Sequence, residues 1–424
     1  MGKNLHIAIL GHGIEGKSAE AYLKKHGYKV TVLDEKDDPA AFKDLTPFDT
    51  IFRSPGIRFD RPEIQASLSR LNSVTRYFFE HCPCPIIGVT GTKGKGTTST
   101  LLYKILKNEG HRAHLGGNIG DPPLDFLDDL TQESLVVLEL SSFQLEDLPQ
   151  SPHIAIVLNT TSDHLDYHPS VEAYHDAKKS IVSHQLAEDF AILNGDYEGS
   201  RAFAKLGAGE KLYYSTIDPV EGAHLDNDKI IVLSKQVATT KDVALRGAHN
   251  LENVLPAALA ATLLNVKPQT IKKTLREFTG LPHRLEFVAT HQGVQYFNDS
   301  FSTTPETSIA AIKAFQEPLY LIAGGSEKHS DFTDWGRAVV TAKNLKKVLL
   351  IGQTATRLAS SINDPDKFIH VHSLQGAFAY LKKHARPDEV VLLSPACASL
   401  DQFENYKVRG ETFRQLVKNL DKTA

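Results

Sequence analysis

Cysteine is scarce, with three residues in the whole chain: Cys82, Cys84 and Cys397. Three thiols are too few for a disulfide scaffold or a four-sulfur zinc site. Cys82 and Cys84 flank Pro83 in a stretch that reads as a linker, and ordinary free thiols are expected there. Excess charge is also lacking. A formal net charge of -4 provides no broad basic footprint for nucleic acid, although it leaves room for a local phosphate pocket. No run approaches the roughly 18 apolar residues of a membrane span. Met1 leads into the strand-like LHIAIL without the apolar region of a signal peptide, so a cytoplasmic location is expected. No serine sits in a G-x-S-x-G elbow, which leaves a Ser/His/Asp nucleophile unsupported.

What is present centres on Pro85 to Glu109, PIIGVTGTKGKGTTSTLLYKILKNE. Ile86 to Thr90 is a short β-branched run suited to a buried strand. Thr98 to Glu109 places Leu101, Leu102, Ile105 and Leu106 at helical spacing. Strand, glycine-rich turn and helix are the context in which backbone N–H groups and a helix N-terminus face phosphates. Gly91, Thr92, Lys93, Gly94, Lys95, Gly96, Thr97 and Thr98 form the expected cradle. Lys95 supplies charge there, and Thr97 or Thr98 is within reach of a metal. The strict pattern is not met, because Lys95 arrives one residue early and Gly96 separates it from Thr97. A plain βα turn with solvated lysines is the alternative.

Ahead of this stretch, Gly11, Gly13 and Gly16 follow the first strand at the fingerprint spacing, and Asp34 ends the next one. A dinucleotide, another nucleotide or a sugar-nucleotide would suit such a turn. Ser54-Pro55-Gly56 reads as a further strand-end loop, either a ligand contact or a simple turn. Beyond the phosphate loop, apolar strands end in Glu139, Asn159 and Asn194, the pattern of a mostly parallel sheet covered by helices. Glu139 and His164 beside the loop can complete a magnesium shell, with Asp163 orienting the histidine. Tyr174, Lys178 and Lys179 fall on a helix, where lysine is ordinarily solvated. Asn250 and Asn253 share a helical face suited to a nucleobase or to capping. Pro256 allows a kink or a later helix start.

The last block has strands near Val294–Asn298, Leu319–Ala323, Lys347–Ile351, Phe368–Val371 and Glu389–Leu393, with helices including Ser308–Phe315 and Leu374–His384. Polar sets follow the strands at 298–300, 324–328 and 394–399. The fold class is therefore α/β in three units: 1–84, which begins as a Rossmann-like unit, 85–280, a mostly parallel sheet around the phosphate loop, and 281–424, a further run of strands alternating with helices. An ATP-and-magnesium site facing a third domain suits phosphoryl transfer, where positive charge and metal matter more than a side-chain nucleophile.

The segments TGTKGKGTT at 90–98, GGNIG at 116–120, ELSSFQLE at 139–146, NTTSDHLDYH at 159–168, AK at 177–178, GAHNLEN at 247–253, LPHRLE at 281–286, NDS at 298–300 and SPACASLDQF at 394–403 occur in order. Together they resemble the Mur ligases of peptidoglycan synthesis over essentially the full chain. The last block is most like the branch that joins D-glutamate to UDP-N-acetylmuramoyl-L-alanine.

The resemblance implies three domains, a Rossmann-like N-terminal one at 1–84 that holds the UDP part of the substrate, a central P-loop ATPase at 85–280 and a Rossmann-like C-terminal one at 281–424 that binds the amino acid; a monomer is expected, with ATP and Mg2+ as cofactors and phosphorylation of a substrate carboxylate followed by attack of an amino acid's amine. It implies catalytic roles for Lys95, His164, Lys178 and Lys328, Lys178 being carboxylated by carbon dioxide. Thr97, Glu139, His164 and Lys178 would serve the metal. Asn250 and Asn253 would sit at adenine, Arg284 at the phosphates and Asp299 at the ribose. Asn118, with His164, would lie near the uridine-linked substrate, and Thr303, Lys328, Ser399 and Tyr406 around D-glutamate. The chain departs from the family at Lys93, where Asn is usual, and at Phe301, where NDS is normally followed by lysine. Lys93 is the expected compensating charge. The Lys95-Gly96-Thr97 order is closer to folylpolyglutamate synthases, so a ligase of that type stays open; Phe301 leaves open a Mur-type ligase that adds L-glutamate, and a nucleotide-binding protein that keeps only the fold is the non-enzyme alternative.

Overall fold

Short β-branched runs alternating with helical spacing fold into three sheets. The computed structural model describes residues 5–161, 167–247 and 250–422. Asp163 and His164, named above, lie outside the described residues. The chain divides into two units, Met1–Ala244 with Ala248–Phe278, and Leu245–Gly247 with Thr279–Ala424.

The first unit holds two sheets. The smaller is all parallel, in the order Lys29–Leu33, His6–Leu10, Thr50–Arg53, Leu71–Asn72. His6–Leu10 lies between the strands that follow it, so the strand order reverses at the glycine turn, where open α/β sheets take ligands. The larger sheet has nine strands. Ile86–Thr90 lies between Ser134–Glu139 and Ile154–Val157, parallel to both, and so stands at a second such switch point. The β-rich stretch expected after Leu212 forms one edge, with Gly222–Asp226, Lys229–Val232 and Lys235–Thr239 as an antiparallel meander. One apolar cluster, including Ile9, Phe52, Phe78, Val136, Leu138 and Val157, runs between the two sheets.

The second unit has six strands in the order Glu286–His291, Val294–Asn298, Val390–Leu393, Leu319–Gly324, Leu345–Ile351, Phe368–His372. Only the first pair is antiparallel. Alternation along Leu319–Gly324 sends Leu319 and Leu321 to a cluster around Trp335, and Tyr320 and Ile322 to one around Phe413. Helices therefore cover both faces.

Three expectations about helices change, one of them the helix expected at Ser308–Phe315, which runs Pro305–Lys313. The helix after the phosphate loop begins at Lys95, three residues before Thr98, because Gly94 adopts φ 89° and turns the chain straight into the first helical turn. The helix Leu251–Leu263 runs through Pro256 without interruption. Burial of every residue from Asn253 to Ala261 outweighs the hydrogen bond that the proline withholds.

Candidate functional site

In the first unit, the polar residues gather where Ile86–Thr90 ends. Gly91, at φ 150°, has no room for a side chain, since a Cβ would stand 2.7 Å from Leu158 Cβ. Gly94 is tighter, with a Cβ placed 2.1 Å from Asn253 Oδ1. Both glycines are thus required by backbone conformation and by close approach. Thr92 anchors the loop to the neighbouring strand end: its N–H donates to Asn159 O at 2.7 Å, and its Oγ1 accepts the Thr161 N–H at 2.9 Å and lies 3.1 Å from the Tyr174 hydroxyl. Lys95 Nζ curls over the loop and donates to Gly91 O at 3.0 Å and Thr92 O at 3.2 Å. Those carbonyls hold the ammonium against the loop's own backbone.

The two threonines separate. Thr98 is fully buried, with its hydroxyl 3.4 Å from Asn253 Oδ1, whereas Thr97 in the same turn is half-buried. Thr97 is the more accessible of the two. Asn253 Nδ2 donates to Asn250 Oδ1 at 2.9 Å, so the asparagine pair lies against the loop helix, both members more than nine-tenths buried. Gly96 is buried and Lys93 is exposed.

Glu139 ends its strand between Val89 on one side and Gly117 on the other. It is 6% exposed, and Asn118 binds it twice: Nδ2 donates to Oε1 at 3.2 Å and the backbone N–H to Glu139 O at 2.9 Å. The GGNIG turn therefore orients the carboxylate. Lys178, on the helix Val171–Ser183, is 1% exposed, so the solvated reading of that lysine is corrected. Its Nζ lies 4.4 Å from the centre of the Tyr174 ring and 3.5 Å from Thr90 Oγ1, at the base of the phosphate loop.

The glycine turn after His6–Leu10 is built differently. Asp34 Oδ2 accepts the His12 N–H at 2.8 Å, and Oδ1 accepts the Lys36 N–H at 2.9 Å. Those backbone donors hold the carboxyl below its ordinary range. Glu15, in the first turn of the next helix, accepts from Gln144 Nε2 at 2.6 Å, while its Oε2 has no partner among the described residues. Burial pushes its pKa up to about 7.

In the second unit, Asp299, Lys328 and Ser399 follow adjacent strands. Asp299 is 4% exposed, with Oδ2 accepting from Ser302 and Ser394 and Oδ1 from the Leu285 N–H at 3.1 Å. Despite these donors, burial lifts its pKa to about 6. Ser399 is buried, Thr303 and Tyr406 are half-buried, and Lys328 is exposed. Arg284 stacks on Phe301 with its guanidinium 3.8 Å from the ring centre, and Tyr406 meets the same ring edge-on at 5.1 Å. Phe301 thus carries a cation on its face.

One residue that organises this region was not singled out from sequence. Arg409, 1% exposed, donates from Nε to Ser300 Oγ at 3.0 Å, from Nη2 to Ser300 O at 2.9 Å, and from Nη1 to Cys397 O and Ala398 O at 3.1 Å each. Ala398 O also accepts the Ser326 N–H at 2.9 Å. One planar guanidinium therefore ties together the loops that carry Asp299, Ser399 and Lys328.

Comparison with known proteins agrees with this architecture. The Mur ligase middle domain matches residues 89–261, and the Mur ligase glutamate ligase domain matches 283–397. A UDP-N-acetylmuramoylalanine–D-glutamate ligase of Acetivibrio thermocellus is 37% identical over 99% of this chain and 97% of its own. The protein of the same name from Clostridium novyi is 34% identical with the same coverage. Among solved structures, a UDP-N-acetylmuramate-alanine ligase from Thermotoga maritima superposes with a TM-score of 0.62 at 16% identity, covering 99% of this chain and 100% of that one. A MurF ligase from the same organism, in complex with ADP, gives 0.62 at 18% identity, covering 99% and 96%. These two share the fold. By its sequence over nearly its whole length, the chain belongs to the Mur ligase family.

Proposed function

We propose that this Mur ligase joins D-glutamate to UDP-N-acetylmuramoyl-L-alanine with ATP, a step of cytoplasmic peptidoglycan precursor synthesis. The observation that carries the reading is the 37% identity, across 99% of the chain, to a ligase of that name. The phosphate loop supports it physically. Backbone N–H groups between Gly91 and Thr98 cradle the triphosphate, and Lys95 exchanges the carbonyls of Gly91 and Thr92 for phosphate oxygens. The donor set fits Mg2+: the oriented Glu139 carboxylate and the Thr97 hydroxyl are hard oxygen ligands, with His164 completing the set. Bound there, the ion would neutralise charge on the phosphates as the terminal phosphoryl group moves to the substrate carboxylate.

Attack by the amine of glutamate on the acyl phosphate then gives the amide and phosphate. Asn250 and Asn253 serve adenine, Arg284 the phosphates, and Asp299 the ribose. Asn118 serves the uridine-linked substrate, and Thr303, Lys328, Ser399 and Tyr406 the amino acid. Carbon dioxide carboxylates Lys178. Its deep burial supports that role, since a carbamate turns a buried cation into a metal-binding anion. The division into domains at 1–84, 85–280 and 281–424 and a monomeric state belong to the same reading.

The test is ADP release with ATP, Mg2+ and UDP-N-acetylmuramoyl-L-alanine, comparing D-glutamate, L-glutamate and no amino acid, with product mass recorded. Turnover with D-glutamate alone is expected. Turnover with L-glutamate alone would replace this reading with the L-specific one.

A further inference from the structure

Away from these sites, two nucleophilic side chains meet. Cys82 caps the helix Val74–His81, donating its N–H to Phe78 O at 2.8 Å, and Cys84 follows just before Ile86–Thr90, the strand that enters the phosphate loop. Their Sγ atoms lie 3.6 Å apart, and Cys82 Sγ is 3.4 Å from Cys84 O. Both side chains pack half-buried against the core while His81, Pro83 and Pro85 are exposed, so a small reagent can approach.

The reason the thiols converge is local. Each cysteine precedes a proline, which steers its backbone toward extended conformations, and Cys82 has φ -67°, ψ 121°. Pro83 between them has a fixed φ. Much of the chain entropy that closing a small ring would cost is therefore already lost. Cys397 is the contrast: it is 4% exposed, lies 3.2 Å from Thr354 Oγ1, and burial pushes its thiol up to about 11. In the pair, the contact between the two sulfurs lowers the Cys82 thiol below its ordinary range and raises Cys84. That orders them as attacking and resolving thiols.

We propose that Cys82 and Cys84 are a redox dithiol, a modification site that closes to an intrachain disulfide on reaction with a low-molecular-weight disulfide. The Cys82 thiolate attacks one sulfur of the reagent; that S–S bond breaks, and the departing thiolate takes up the proton Cys82 released. Cys84, giving its proton to solvent, then attacks Cys82 Sγ and expels the second thiolate, which is protonated in turn. Two protein thiols are oxidised by two electrons, one reagent disulfide is reduced to two thiols, and nothing of the reagent stays on the protein. The closed ring ties the end of the first sheet's last helix to the strand leading into the phosphate loop.

The experiment treats the full-length folded protein with glutathione disulfide and follows intact mass, peptide mapping and the thermal midpoint. The wild type is expected to lose roughly 2 Da without an adduct and to regain it with dithiothreitol. Cys84→Ser should hold one glutathione on Cys82, Cys82→Ser should react at least about tenfold more slowly, and Cys397→Ser should behave as wild type. A stable adduct on the wild type, pairing through Cys397 or between chains, or no reaction of the folded protein when the urea-unfolded chain reacts, overturns the proposal. None of these outcomes depends on ligase activity.

Discussion

Two glycine turns at the tops of parallel strands, GHGIEG after Leu10 and GTKGKG after Thr90, have similar skeletons and opposite chemistry. In both, a positive-φ glycine leads into a helix whose N-terminus faces the strand ends. In the first, a carboxylate of the protein, Asp34, already accepts the loop's His12 N–H, and the helix's first turn carries an acid, Glu15. In the second, the first turn carries Lys95, whose ammonium rests on the loop's own carbonyls. Glycine spacing sets the shape of such a turn; the charges beside it decide which turn is built for the triphosphate.

The largest expected effect follows from that difference. Lys95→Met leaves the glycine skeleton intact and removes the charge, and kcat for ADP release should fall by about 10²–10³, the range for deleting one preorganised electrostatic contact. Substituting His12 by Ala in the first turn should leave kcat within about threefold, because phosphoryl transfer is assigned to the second turn. Equal losses at both positions would break the comparison.

The next effect concerns stability. Glu15 is an acid whose folded pKa, about 7, stands above the ordinary 4.5 because its carboxyl is buried. Such a group favours folding fully below its unfolded pKa, and that contribution is lost as pH rises through about 7. The loss reaches at most about 3 kcal/mol by linkage. Glu15→Gln keeps an acceptor for Gln144 and removes the titration. Urea unfolding at pH 5 and pH 8 should show wild-type stability falling relative to the variant. Parallel curves would place the proton elsewhere.

How much of this was legible in sequence differs between the two units. The phosphate loop, its strand and the helix Leu374–His384 could be read from periodicity and glycine placement, since local geometry determines them. Glu139 could be placed at a strand end, but not its clasp by Asn118. Lys178 reads as solvated because helical spacing puts Tyr174 beside it but does not reveal that Thr90, from a distant strand, meets it in the core. Arg409 was invisible for the same reason: its acceptors at Ser300 and Cys397 come from distant loops, and a charged helix face is ordinarily exposed. The one hint was Gly410 inside the helix, where a Cβ would lie 2.2 Å from His283 Nδ1. Arg409→Lys keeps the charge but not the planar fork. The KM for D-glutamate should rise about tenfold, the worth of one charge-assisted hydrogen bond, while the KM for ATP changes less. Equal shifts in both constants, or a collapse of the thermal midpoint, would reduce Arg409 to a folding role.

The smallest effects sharpen the comparison most, because they ask whether the glycines themselves are equivalent. Gly94 sits at φ 89° with no space for a methyl group beside Asn253, whereas Gly13, the N-cap of its helix, has φ -71° and nothing within 4 Å of where a Cβ would stand. Gly94→Ala should therefore cost about 1–2 kcal/mol for the left-handed backbone alone and weaken ATP binding as the loop shifts from Asn253. Gly13→Ala should stay within about 0.5 kcal/mol of wild type, as an unstrained surface substitution does. Thermal unfolding and ATP titration of the two variants decide the matter. If Gly13→Ala proves as damaging as Gly94→Ala while its fold is intact, the first turn needs its bare backbone for close approach of a ligand, and the two turns are more alike than their charges make them.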